Sequence, residues 1–127
     1  MYQFIEIRSI KIIQFNERFT HMPDEQILNI TRDYIYLLNQ EGFRIIRAFL
    51  YGSYAKGNMH DSSDIDLMLV SDYQIEDDMQ KKMQAWLLTR KIDTRIEPYL
   101  VNNHRFVQDE DSPLVEIVKN EGLEIMF

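Results

Sequence analysis

At 127 residues the chain has the length of one domain, enough to bury a hydrophobic core and too little for two. Its 45% hydrophobic and 28% charged residues are those of a globular protein, and a formal charge of −7 argues against nonspecific nucleic-acid binding, since a phosphate polyanion is met by a basic face. With no cysteine, disulfides and thiolate metal sites are excluded and a reducing cytoplasm is the expected home; with no run near the roughly 18 apolar residues of a membrane span, neither membrane insertion nor export is expected.

Residues 1–22 fit neither helical nor strand period cleanly, although Ile5, Ile7, Ile10, Ile12 and Ile13 favour a strand or hairpin; they read as an N-terminal extension of one 1–127 domain. From 23 to 40 the signals agree on a helix, with Pro23 in its first turn, Ile27, Ile30, Tyr34, Leu37 and Leu38 on one stripe, and Gly42 past its end. "FRIIRAFLYGS" then reads as a strand ending at Gly52, and "DIDLMLV" as a second. A helix is expected over 77–90, with Met79, Met83, Trp86 and Leu87 as its buried stripe. "KIDTRIEPYLV" alternates with period two, which predicts a third strand with Ile92, Thr94 and Ile96 on one face and Asp93, Arg95 and Glu97 on the other. Ser112 and Pro113 open a last helix that runs through Lys119 and stops at Gly122, before an extended "LEIMF". The acidic runs "IEDDM" and "QDEDS" read as solvated helix-start and loop charges.

The chemistry gathers in "LYGSYAKGNMHDSSDIDLMLV". Asp64 and Asp66, two apart on a strand, point to the same side with Cα atoms roughly 6.5–7 Å apart. Like charges at that spacing call for a cation or a shared proton, and oxygen-only ligands favour Mg²⁺ or Mn²⁺, completed by waters and substrate phosphates. Upstream, Gly52 ends a strand where a phosphate can approach the backbone, Ser53 adds a hydroxyl donor, and the residues after it can start a short helix that Gly57 ends. The Lys56 context is not that of a Walker A loop. His60 reads as a solvated loop residue, since Mg²⁺ prefers oxygen, and His21 and His104 have no partner in sequence. Arg90, Lys91 and Arg95 serve equally well as solvent-facing ends or as counter-charges to a triphosphate.

Gly-Ser, a ten-residue spacer and Asp-x-Asp in an apolar strand together resemble the signature of the nucleotidyltransferase superfamily that shares the DNA polymerase beta palm. The chain is similar, from about residue 24 onward, to the small bacterial minimal nucleotidyltransferases. The resemblance implies an α/β (α+β) fold with a mixed β-sheet flanked by helices, Gly52 and Ser53, with Lys56 and Gly57, on the nucleotide phosphates, and Asp64 and Asp66 on Mg²⁺ or Mn²⁺. It also implies a third carboxylate on a later strand that ligates metal and accepts the proton of the attacking hydroxyl. Asp93 and Glu97 both qualify; Asp93 is preferred because it follows an apolar residue near the start of the expected strand. Lys56 stands where many relatives carry Arg, which removes a bidentate phosphate fork.

The expected activity is transfer of a nucleoside monophosphate, AMP from ATP first of all, to an acceptor hydroxyl. The acceptor the resemblance suggests is a partner toxin of the helical HEPN type, with the chain as its antitoxin. A non-catalytic antitoxin or nucleotide-binding module and an enzyme acting on a small molecule are the alternatives, and a homo-oligomer is left open.

Overall fold

A computed structural model describes residues 25–57, 63–108 and 112–127, together with the backbone at 5–6 and 11–12. Ile5–Glu6 (β1) pairs antiparallel with Lys11–Ile12 (β2), in keeping with the hairpin expected there. Helix α1, Glu25–Gln40, buries Ile27, Leu28, Thr31, Tyr34, Ile35 and Leu38, a single stripe at helical spacing. It ends at Gly42, whose φ of 86° lets the Phe43 N–H turn back to the Leu38 carbonyl at 3.1 Å.

Strand β3, Ile45–Tyr51, leads into the one-turn helix α2, Ser53–Lys56, and β4 follows at Ile65–Ser71. After a 3₁₀ turn at Ile75–Asp77 come α3, Met79–Leu88, a second 3₁₀ turn at Thr89–Lys91, and β5, Ile96–Asn102. The chain closes with α4 (Asn103–Gln108), α5 (Pro113–Glu121) and β6 (Leu123–Glu124). Ser112 caps α5 by accepting from the Val115 N–H at 3.3 Å, as the Ser-Pro signal predicts.

The four-stranded sheet has the order β5-β4-β3-β6, with β3 antiparallel to β4 and β6 and with β4 parallel to β5. It is the mixed sheet flanked by helices that the sequence implies. Because side chains alternate, Ala48, Leu50, Leu67, Leu69, Ile96 and Leu100 meet α1 and α3 on one face. Phe49, Met68, Val70 and Val101 meet Phe106, Val115 and Val118 of α4 and α5 on the other. Arg47 ties β6 to β3 through a two-pronged pair with Glu124, both bonds 2.9 Å. Among the described residues no helix is long and apolar enough to cross a membrane.

Two expectations fail here. The stripe Met79, Met83, Trp86 and Leu87 is exposed; α3 turns Ala85 and Leu88 inward instead, and the Tyr34 hydroxyl donates to the Ala85 carbonyl at 2.6 Å. A small alanine lets α3 approach α1 closely enough for that bond. Nor does the third strand begin at Ile92. Residues 92–95 form a turn, in which the Asp93 N–H donates to Thr89 at 2.8 Å and the Ile96 N–H to Asp93 at 3.2 Å.

Candidate active site

Asp64 lies just before β4 and is exposed, whereas Asp66, the second residue of β4, is half-buried. Asp66 is flanked by Tyr51 across the β3 pairing and by Glu97 across the β5 pairing. In a parallel ladder, directly paired residues project to the same side, so Glu97 joins Asp64 and Asp66 on the face that carries Met68 and Val70. The apolar layer over that face is thickest toward Phe106 and Val115, and it gives way to polar groups at the start of β4 and β5.

The three carboxyl groups are in contact. Burial, hydrogen bonds to Asp66 and Asp64 and the negative charge of both push the Glu97 pKa up to about 7. Burial and the charge of Asp64 raise Asp66 as well, opposed by the hydrogen bond from Glu97. A raised pKa lets Glu97 take up a proton more readily than a free glutamate, one of the two answers to crowded like charges. A cation is the other.

Among the described residues no three His, Cys, Asp or Glu side chains are already arranged as a cage for a metal ion. The carboxyl donor set, all hard oxygens on adjacent strands, fits Mg²⁺ or Mn²⁺.

Asp93 stands apart from this arrangement. Its carboxylate accepts from the Arg95 backbone N–H at 2.9 Å and from the Arg95 guanidinium at 2.8 and 3.1 Å, and those bonds hold its pKa below the usual carboxylate value. Arg95 in turn reaches the Tyr54 hydroxyl on α2 at 3.5 Å. The geometry assigns Asp93 to a brace between the turn and α2, and brings Glu97 to the aspartate pair in its place.

The Gly-Ser turn is built against Asp66. Gly52 has φ 70° and ψ −143°, a backbone conformation reserved for glycine, and a Cβ there would lie 2.2 Å from Asp66 Oδ2. Ser53 follows at the start of α2, partly exposed, and the Gly52 carbonyl accepts from Ala55 and Lys56 at 3.1 Å. Gly57, left-handed at φ 79°, closes the turn with its N–H on the Ser53 carbonyl at 2.9 Å. Lys56 is exposed on the same turn. His60 and His21 lie outside the described residues, while Arg90, Lys91 and His104 are exposed.

Two tyrosines at the site were not anticipated. Burial, the charges of Asp66 and Glu97 and the neighbouring Tyr99 push the Tyr51 pKa up to about 12, which sets Tyr51 beside the carboxylates with Tyr99 next to it. The signal for them was parity: Tyr51 directly precedes Gly52, and Tyr99 is two residues past Glu97 on the same strand face.

Residues 34–119 match the profile of the family described as Polymerase beta, Nucleotidyltransferase. The chain belongs to the polymerase beta nucleotidyltransferase family. The matched span of this nucleotidyltransferase domain holds Gly52, Ser53, Asp64, Asp66 and Glu97. A crystal structure of a proposed nucleotidyltransferase from Sulfolobus solfataricus is similar in fold, with a TM-score of 0.51 and 16% identity over 79% of this chain and 87% of that one. No curated protein matches the nucleotidyltransferase sequence significantly.

Proposed function

We propose that this nucleotidyltransferase domain moves a nucleoside monophosphate, AMP from ATP in the first instance, onto an acceptor hydroxyl. The observation that carries the reading is the direct pairing of Asp66 with Glu97, with Asp64 two residues earlier and the Gly52 turn packed on the Asp66 carboxylate. Asp64, Asp66 and Glu97 would hold Mg²⁺ or Mn²⁺, which when bound neutralises charge on the phosphates and lowers the barrier to displacement at phosphorus.

The remaining work falls to the chain. Gly52 leaves the backbone open to a phosphate, Ser53 donates its hydroxyl there, and Lys56 and Gly57 complete the phosphate-facing turn. Ionised Glu97 is the base for the acceptor hydroxyl. The acceptor oxygen bonds to the α-phosphorus as the bond to the bridging oxygen breaks, the proton passes to Glu97, and pyrophosphate leaves. Asp93 acts at one remove, by holding Arg95 against Tyr54.

The acceptor proposed is a hydroxyl on a helical toxin of the HEPN type, which makes the chain a cytoplasmic antitoxin that works by modifying its partner. Incubation with α-phosphate-labelled ATP, CTP, GTP or UTP, Mg²⁺ and host lysate tests this. A labelled protein band formed from ATP and lost in Asp64→Asn/Asp66→Asn supports it. A labelled small molecule, or no label with any nucleotide, overturns the protein acceptor or the chemistry respectively.

A further inference from the structure

Met79, Met83, Trp86 and Leu87 recur at helical spacing on the outer side of α3, and are 66, 60, 49 and 55% exposed. Four large apolar side chains side by side in water, one of them tryptophan, form a surface to be covered. Beside Trp86 a groove of about 340 Å³ runs between α3 and the outer edge of β5, walled by Lys82, Tyr99 and the Glu76–Arg105 ion pair.

Along α3 and the turn that follows it the charge is unlike that of the rest of the chain. Residues 79–91 hold Lys81, Lys82, Arg90 and Lys91 and no acid, a segment of +4 in a chain of −7. Lys81 is turned toward α1, where its ammonium donates to the Glu41 carbonyl at 2.7 Å and lies over Phe43. Among the described residues, Lys82, Arg90 and Lys91 form no ion pair.

We infer that this face is the docking site for an acidic amphipathic helix of a partner protein, its apolar stripe on Met79, Met83, Trp86 and Leu87 and its carboxylates toward Lys82 and Arg90. A symmetric second copy would bring a second +4 segment to the same seam. A flat anionic membrane would leave the groove unfilled and would meet a chain of net −7. Strand addition to the β5 edge is blocked at its middle. The Ile65 N–H bonds inward to Arg95, so ladder alternation turns the Pro98 nitrogen, which has no hydrogen, outward. A helix needs no main-chain bond from its host and fits a stripe-and-groove surface. The inference is independent of the transferase chemistry.

Trp86 is the only tryptophan in the chain, so its emission reads this face directly. Titration with a synthetic helical peptide carrying a leucine stripe flanked by glutamates is expected to shift the emission to the blue, saturably. Binding should weaken about tenfold or more, the loss of a charge contact in a desolvated interface, when the flanks are lysine or when the protein carries Lys82→Glu. Met83→Glu should weaken both peptides; both positions are on the surface, and unchanged thermal midpoints verify folding. Equal affinity for the two peptides, or no shift with either, overturns the proposal. So does a shift that follows protein concentration alone, which reports self-association, or one produced only by phosphatidylglycerol vesicles. An emission already blue in the free chain that turns red when residues 1–24 are removed assigns the face to the chain's own N-terminus and overturns it as well.

Discussion

Asp66 and Glu97 stand opposite each other in the parallel β4–β5 ladder, close enough for each carboxyl group to shift the pKa of the other. Asp93, four residues earlier, is engaged with Arg95. The two acids that sequence alone leaves as alternatives thus stand in separate settings, which single substitutions tell apart. Glu97→Gln is expected to lower nucleotidyl transfer by about 10²–10⁴-fold, the range for a lost general base, at saturating Mg²⁺ and ATP. Asp93→Asn should leave turnover near the parent rate. The reverse pattern would return the third carboxylate to Asp93.

Asp93→Asn should instead be visible in stability, and with a defined pH dependence. The folded-state pKa of Asp93 is lowered by Arg95, so its contribution is present above the unfolded carboxylate value and is lost as pH falls through the folded one. At pH 7 the variant is expected to lose about 1 kcal/mol, the size of a well-formed but partly solvated pair. Urea midpoints for parent and variant should converge as pH falls below about 4, near the unfolded value of an aspartate.

Gly52→Ala tests the close approach of the turn to Asp66. The new methyl would have to move an oxygen that lies 2.2 Å from its position, on a backbone that L-residues avoid. A loss of about 1–3 kcal/mol in urea unfolding is expected. Metal-dependent ATP binding should fall in the same variant, since the displaced group is Asp66. Calorimetry at a temperature where the variant is folded measures it.

Mg²⁺ or Mn²⁺ should strengthen ATP binding, and Asp64→Asn/Asp66→Asn should remove the gain without unfolding the protein. Removal of two mutually repelling charges leaves the metal-free thermal midpoint equal or higher. A cation that binds only the folded chain raises the parent midpoint by mass action, and the double variant should show no such rise. Equal ATP affinity with and without metal in the parent would leave the carboxylate cluster without a cation role.

The Gly-Ser turn and the same-face aspartate pair were legible as geometry because each is written locally. Gly52–Ser53 and Asp64–Asp66 are set by the ends of one hairpin, β3 to β4, where strand parity and turn chemistry decide orientation. The third acid was not, because alternation through Ile92, Thr94 and Ile96 imitates a strand. The competing choice, an Asp93 side chain that folds back on the Arg95 N–H, is a turn signal two residues long inside that pattern. The α3 face failed for a related reason. Helical periodicity finds the apolar stripe of Met79, Met83, Trp86 and Leu87, yet inward orientation was decided by the small Ala85, which lets Tyr34 reach the backbone. Amphipathicity names a face that avoids water, not the molecule that covers it.

The parallel pairing of β4 with β5 has a kinetic consequence. Asp64 and Asp66 come together as soon as the β3–β4 hairpin forms, an event of short chain closure, whereas Glu97 arrives from 31 residues beyond Asp66 after the α3 crossover has been laid down. Non-local pairings of this kind close late. The β4–β5 ladder, which closes after that hairpin, is the one that brings a third acid against two, so its closure calls for either a proton or a divalent ion. Whichever is captured ties β5 to β4 by a bond that depends on pH or on the cation, at the one parallel seam of the sheet.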